Sequence, residues 1–154
     1  MLQGLEASAL ASAIRQSTWL YPVLEIVHIL GIVLLVGGAF LFDLRLLGLS
    51  RKLPVPELAR HLLPWSRRGL YLIIPSGILL FSTNAVALAA DTVFHIKMIG
   101  LVVGGINAGI FHRYIFAAAP EWQHGNTPRP AKAVALCSIV VWVLVIACGR
   151  LLAY

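Results

Sequence analysis

The feature that most constrains this chain is an apolar run from Pro22 to Arg45, PVLEIVHILGIVLLVGGAFLFDLR. A helix needs about 20 apolar residues to cross the hydrocarbon core of a bilayer, and this run is long enough. It carries Glu25 and His28 close to one end. Ionisable side chains are costly inside a membrane and are therefore candidates for function. The run predicts a spanning helix that contains a functional histidine.

The composition supports a membrane protein with a single domain, residues 1–154. Hydrophobic residues make up 60% of the chain and charged residues 12%, and the mean hydropathy is +0.90. A soluble domain averages about 25% charged residues. The net charge of +6 does not indicate nucleic-acid binding, because the basic residues fall in the connections between apolar segments.

Four apolar segments predict an all-α integral membrane four-helix bundle. The predicted spans are residues 19–47, 66–88, 92–116 and 131–152. Residues 3–16 are short and amphipathic, which predicts an N-terminal interfacial helix on the bilayer surface. A separate helical piece is expected from Pro56 to Leu63, and Asp91 or Thr92 is expected to cap the third span.

The distribution of basic residues predicts the orientation. Nine of the twelve lysines and arginines lie in the first and third connections. They are Arg45, Arg51, Lys52, Arg60, Arg67, Arg68, Arg113, Arg129 and Lys132. Positive charge is retained on the cytoplasmic side. A multi-pass protein of a bacterial inner membrane is expected, with both termini in the periplasm.

The chain has five histidines, namely His28, His61, His95, His112 and His124. At a rise of about 1.5 Å per residue, His28 lies roughly 10 Å and His95 roughly 5 Å inside the outer ends of their helices. The similar depth predicts that they bind one cofactor between spans one and three. His61 and His112 belong to the opposite side, where they predict a second site.

The helix face around His28 suggests which cofactor this is. His28 shares a stripe of the first span with Gly31 and Gly38, which offers an imidazole ligand beside space for a flat macrocycle. Haem b in a helical bundle needs axial imidazoles, small neighbouring residues and a cation for a propionate. Lys97 near the outer surface, and Arg45 or Arg113 near the inner one, are candidate cations.

Other interpretations remain open at this point. His28, His95, Glu25 and Met98 together predict a copper site, because imidazole and thioether ligands suit copper. Alternatively, Glu25, His28 and Lys97 form a structural polar cluster, and the histidines near the helix ends contact headgroups and water. The third span also contains two GxxxG pairs, Gly100, Gly104, Gly105 and Gly109. Small residues at this spacing suit helix packing, a homodimer or a flat ligand.

The segment from His28 to Arg45, HILGIVLLVGGAFLFDLR, resembles the first helix of CopD-type copper-resistance proteins and HemJ-type protoporphyrinogen oxidases. FHIKM, from Phe94 to Met98, with His112 after it, also resembles a helix of these families. The likeness over most of the chain is to an uncharacterised family of small bacterial four-helix membrane proteins. It implies a haem-binding or copper-handling bundle, with His28 and Lys97 as the porphyrin-binding positions.

Taken together, these patterns predict a haem b-binding, cytochrome-like protein of the lipid bilayer that passes electrons to a redox partner protein. The alternatives are a protein that handles copper or another small solute, and a membrane subunit without a cofactor. The pattern contains no nucleophile–base pair, phosphate loop or carboxylate pair, so an enzymatic activity is neither predicted nor excluded.

Overall fold

The computed structural model describes residues 1–116 and 127–152, which form helices and turns without a strand. The helices in chain order are α1 (Leu2–Glu6), α2 (Ala9–Gln16), α3 (Leu20–Leu47), α4 (Val55–Thr83), α5 (Ala85–Ala90), α6 (Thr92–Ile110) and α7 (Arg129–Leu151). A π-helical turn, Val33–Gly37, lies within α3, and a second, Phe111–Ile115, follows α6. The all-α prediction is confirmed for the described residues.

Three of these helices are long and apolar enough to cross a membrane: α3, α6 with its extension to Tyr114, and α7. Their outward surfaces are also apolar. Ile26, Val102 and Val140, one from each helix, are 57%, 61% and 60% exposed. Water would penalise an apolar surface of this extent, whereas lipid would cover it. By length and composition, these three helices could therefore cross a membrane, which indicates a membrane protein.

The second long helix differs from the prediction. Separate helices were expected at 56–63 and 66–88, but α4 is one helix that continues through Pro64 and Pro75 and ends at Thr83. A proline removes only one backbone donor, so a long helix continues where neighbouring groups compensate. Asn84, with φ −146° and ψ 45°, then separates α4 from α5.

The N-terminal segment also differs from the single helix predicted over residues 3–16. It forms α1 and α2, because the Ser8 side chain caps α2 by accepting a hydrogen bond from the Ala11 N–H. Ala11 and Ile14 of α2 are buried, 0% and 3% exposed. The segment therefore packs against the rest of the protein.

The N-terminal segment compensates the break at Asn84. Arg15 donates from Nη1 to the Thr83 carbonyl at 2.9 Å, and from Nη2 to the Glu6 carbonyl at 2.8 Å. The Glu6 carboxylate accepts from the Val86 N–H at 3.0 Å. A cation at the last carbonyls of α4 and an anion at the first N–H groups of α5 each complement a helix dipole.

Replacing Arg15 with alanine should loosen this break. Hydrogen bonds from a charged donor contribute about 1.5–3 kcal/mol, so amides of residues 84–90 should exchange with deuterium about tenfold faster or more. Exchange followed by mass spectrometry measures this directly. Gln16→Ala, an exposed neighbour, is the control and should leave the exchange unchanged. Equal exchange in the two variants would show that the Arg15 contacts do not hold the break.

The long helices pack as two pairs, α3 with α4 and α6 with α7. The pairs meet where the last part of α3, Gly38–Leu47, also packs on α7. The buried core lies at this junction and comprises Phe42, Leu46, Val55, Ala59, Phe111 and Ala135. Among the described residues, the first part of α3, Leu20–Ile32, has no comparable contact with α6 or α7. Close contact between α3 and the pair of α6 and α7 is therefore concentrated in the last part of α3.

The predicted cap of the third span is confirmed. The Asp91 side chain accepts from the N–H groups of Val93 and Phe94 at 2.6 and 3.2 Å, which satisfies two donors in the first turn of α6. Phe94 also stacks on Phe81 of α4 with ring centroids 5.4 Å apart. This cap and stack fix the start of α6 next to the end of α4.

Candidate functional site

His28 is the best-positioned of the predicted site residues. Its half-buried ring lies against Pro75-Ser76-Gly77 of α4, with 2.9 Å between His28 Nδ1 and Ser76 Oγ. A Cβ at Gly77 would lie 3.1 Å from His28 Cε1, so the glycine makes room for the ring. The Pro-Ser-Gly segment in the middle of α4 therefore binds the His28 ring and leaves room for it.

The hydrogen bonds of Ser76 assign the tautomer of His28. The Ser76 hydroxyl has one proton, and it donates that proton to the Leu72 carbonyl at 2.5 Å. Ser76 Oγ can then only accept from the histidine, so Nδ1 carries the hydrogen and donates. This leaves the lone pair of Nε2 free. A histidine held through Nδ1–H with a free Nε2 is in the form that ligates metals and haem iron.

Lys97 extends from α6 towards the same region. Its side chain is half-buried, and its Nζ lies 3.7 Å from the position of a Cβ at Gly149 of α7. It is close enough to His28 to act on it electrostatically. No carboxylate of the described residues pairs with Lys97, although a structural cluster with Glu25 was one interpretation of the sequence. An imidazole and a half-buried ammonium group, the latter without a carboxylate partner among the described residues, thus lie within electrostatic reach of each other.

His95 does not join His28 on this face. It lies about 200° around α6 from Lys97, is exposed, and its Nδ1 bonds the Asp91 carbonyl of its own helix at 2.7 Å. The structure therefore does not bring His28 and His95 together as the facing pair that the sequence predicts. Equal depth was the basis of that prediction, but depth does not determine the direction of a side chain.

Both histidines of the predicted second site are exposed. His112 is exposed, and its Nδ1 bonds the Ala108 carbonyl of its own helix at 2.9 Å. His61 is exposed in a shallow surface depression beside Glu57 and Arg60. Both positions agree with histidines that contact water or headgroups. His124 lies outside the described residues.

The proposed copper ligands are also dispersed. Glu25 is exposed on α3, and Met98 lies on the exposed side of α6 near His95. The described ranges contain no group of three or more His, Cys, Asp or Glu side chains that could hold a metal ion. A protein-ligated copper site therefore has no geometric support in this part of the chain.

The glycine faces serve helix packing within the chain. A Cβ at Gly38 would collide with the Ser66 hydroxyl of α4, and a Cβ at Gly31 would lie 3.0 Å from the Gly69 carbonyl oxygen. The space that the sequence assigns to a macrocycle beside these two glycines is thus filled by α4. Gly100 and Gly104 likewise face Val145 and Val141 of α7, whereas nothing lies within 4 Å of a Cβ at Gly105 or Gly109.

Arg45, a predicted propionate partner, is instead bound by a loop. It is 3% exposed and donates from Nε to the Leu53 carbonyl at 2.7 Å and from Nη2 to the Arg51 carbonyl at 3.1 Å. These bonds hold the connection between α3 and α4 against the end of α3. Arg113, the other inner cation, is exposed near Tyr114.

Sequence reasoning did not single out Asp43. Its side chain is 7% exposed, faces Ser138 of α7, and leaves Oδ2 without a hydrogen-bond partner. The sequence signal was available, because an acid inside an apolar run is as costly as the histidine that was noticed. Asp43 thus joins His28, Lys97 and Arg45 as a buried or half-buried ionisable group on the long helices that the structure describes.

Comparison with known proteins adds a family. A model of a family of unknown function, DUF6644, matches residues 6–154. The chain belongs to the DUF6644 family. No curated protein and no solved structure matches the chain. The expectation of an uncharacterised family is confirmed by this result, whereas the comparisons give no support to a likeness to CopD-type or HemJ-type proteins. The residues of this DUF6644 protein, rather than a relative, must carry a functional proposal.

Proposed function

We propose that this DUF6644 protein binds haem b through Nε2 of His28 and passes electrons within the membrane. One observation carries the proposal: Ser76 accepts from His28 Nδ1 because its own proton goes to the Leu72 carbonyl, which leaves the lone pair of Nε2 free. An oriented imidazole within electrostatic reach of a cation, on apolar helices, suits an iron porphyrin with carboxylate side chains. When bound, haem supplies a one-electron redox centre.

Each residue has a separate role in this proposal. His28 is the axial ligand, and Ser76 is a positioning residue that fixes the ring and raises its basicity through the Nδ1 hydrogen bond. Lys97 neutralises a propionate, which explains a half-buried ammonium group without an acid partner among the described residues. Phe81 and Phe94 form an apolar boundary near the start of α6. A single protein imidazole is proposed, because His95 faces away.

The proposal includes a topology of four crossings in a bacterial inner membrane with both termini in the periplasm. From Gly69 to Ala90 the chain carries no charged side chain, so α4 and α5 together supply the length of the fourth crossing. The break at Asn84 is tolerable in lipid because Arg15 and Glu6 satisfy its free backbone groups. A redox partner protein is then expected at a membrane surface.

The test is a spectrum of the intact protein. Expressed with haem supplied and purified in detergent, the protein should show a Soret band and, in the reduced-minus-oxidised difference, an α-band of a b-type haem. Pyridine extraction should give about one haem per chain. Copper is measured in the same sample. The absence of haem bands would overturn the proposal, and stoichiometric copper without haem would favour the copper-handling alternative instead.

A further inference from the structure

A second ionisable site lies away from His28, near the other end of α3. Asp43 is four residues before the end of that helix and faces α7. Its side chain is 7% exposed, and Ser138, which interacts with its carboxyl group, is 8% exposed. Around them lies the apolar junction of the helix pairs, including Phe42, Leu46 and Ala135. An acid is thus enclosed beside the buried core of the described structure.

The carboxyl group is only partly satisfied. Ser138 interacts with it, whereas Oδ2 is fully buried and has no hydrogen-bond partner among the described residues. Arg45 is two residues away but points to the other side of α3, where loop carbonyls hold its guanidinium group. Burying an ionised carboxylate costs much free energy when one of its oxygens has no hydrogen-bond partner and no cation lies beside it.

Among the described residues no other charge compensates Asp43. The charged and titratable groups on the elements packed around it are Glu57, Arg60, His61, Arg67, Arg68 and Tyr71 on α4, His112, Arg113 and Tyr114 after α6, and Arg129, Lys132, Cys137, Cys148 and Arg150 on α7. Within the described ranges none of these groups acts electrostatically on the Asp43 carboxyl. Asn107 of α6 also contacts α7, but its amide donates to the Val134 carbonyl at 3.1 Å. Ser138 is therefore the one polar side chain that the described residues provide to the Asp43 carboxyl group, and no charged group accompanies it.

We propose that Asp43 is a proton-binding site inside the membrane domain, with Ser138 as its fixed hydrogen-bond partner. In the uptake step one proton from the aqueous phase forms an O–H bond at Oδ2, and the carboxylate becomes a neutral carboxylic acid. Release reverses this step, and no other bond changes. The negative form requires water or a cation at Oδ2, so uptake and release alter the contact between α3 and α7.

A proton fits this site better than a metal ion. One carboxyl group and one hydroxyl provide too few oxygens for a hard cation, which takes about six or more. The described residues hold no acidic or histidine cluster that would complete the shell. A proton needs one lone pair, and Oδ2 offers one. The site is separate from His28 and does not depend on haem binding.

The experiment uses dicyclohexylcarbodiimide, an apolar reagent that reacts with protonated carboxyl groups in membranes. The acid oxygen bonds to the central carbon of the reagent while the acid proton moves to a reagent nitrogen. The full chain in lipid vesicles should form one adduct on the peptide containing Asp43, and its rate should fall as pH rises. Asp43→Asn should reduce the adduct about tenfold or more, whereas Glu25→Gln, an exposed acid on the same helix, should not change it.

A second variant, Ser138→Ala, tests the proposal even if Asp43→Asn does not fold. Ser138→Ala retains a small side chain but removes the donor to the carboxylate, so labelling should persist to a pH about half a unit higher. Cys137→Ala, on the exposed side of α7, is the matched control. Infrared spectra should show a protonated-carboxyl band that Ser138→Ala shifts.

Two results would overturn the proposal. The first is the absence of both the Asp43 adduct and a Ser138-sensitive carboxyl band across the pH range in which the protein stays folded. The second is protection of Asp43 from the reagent by sodium or potassium at constant pH, which would make it a metal-ion site.

Discussion

Replacing Gly69 with alanine should lower the unfolding temperature of the detergent-solubilised protein by about 5–10 °C. A Cβ at this position would lie 2.7 Å from the Gly31 carbonyl oxygen and 2.8 Å from the Leu35 nitrogen. Both are backbone atoms of α3, so a side-chain rotation cannot relieve the overlap, and α3 must move away from α4. Thermal unfolding followed by intrinsic fluorescence measures the shift.

Gly37→Ala is the matched control, because it adds the same methyl group on α3 where nothing lies within 4 Å. Its unfolding temperature should remain within about 2 °C of the parent, or rise slightly, because alanine favours a helix. If both variants unfold at the same temperature, the close contact of α3 and α4 does not limit stability. Gly105→Ala repeats the control on α6, where a Cβ also has open space.

Replacing His28 with alanine should remove most of the bound haem, by about tenfold or more per chain, if Nε2 is the axial ligand. His95→Ala should retain haem near the parent level, since His95 faces outward and bonds its own helix. The ratio of Soret absorbance to protein absorbance, confirmed by pyridine extraction, gives the result. The comparison is sharp because the two variants remove the same side chain at a similar predicted depth.

Ser76→Ala separates ligation from positioning. It leaves His28 in place but removes the acceptor at Nδ1, and loss of such a partner typically weakens the site by about 10–100-fold. Haem retention should fall less than in His28→Ala, and the midpoint potential should rise as the imidazole becomes less basic. Equal haem content in His28→Ala and the parent would exclude His28 as the ligand, whatever the other variants show.

The sequence was a good guide to the helices and to individual caps. Apolar length predicted four spanning helices, of which the structure shows three that are long and apolar enough to span. Asp91, one of the two residues expected to cap the third span, caps the start of α6. These features depend on neighbours within a few residues, which the sequence shows directly. The break expected between residues 63 and 66 is absent, because a proline such as Pro64 weakens a helix locally and does not determine whether the helix continues.

The candidate site was less predictable because it depends on faces and partners. His28 and Lys97 were singled out from the sequence, and in the structure Lys97 lies within electrostatic reach of His28. His95 has the same chemistry at a similar depth but points outward. The glycine stripe of α3 was interpreted as space for a ligand, whereas Gly69 and Ser66 of α4 occupy that space. A small residue shows that something comes close, not what it is.

The sequence by itself determined that this chain is a helical membrane protein with costly ionisable groups in its apolar segments. Composition and apolar length suffice for that conclusion, since they set the free energy of transfer into lipid. Tertiary structure alone decided which of those groups matter together. Helix packing places Ser76 against His28, aims Lys97 at the same region and encloses Asp43 beside Ser138. Such pairings depend on the rotation of each helix against its neighbours, which hydropathy does not encode.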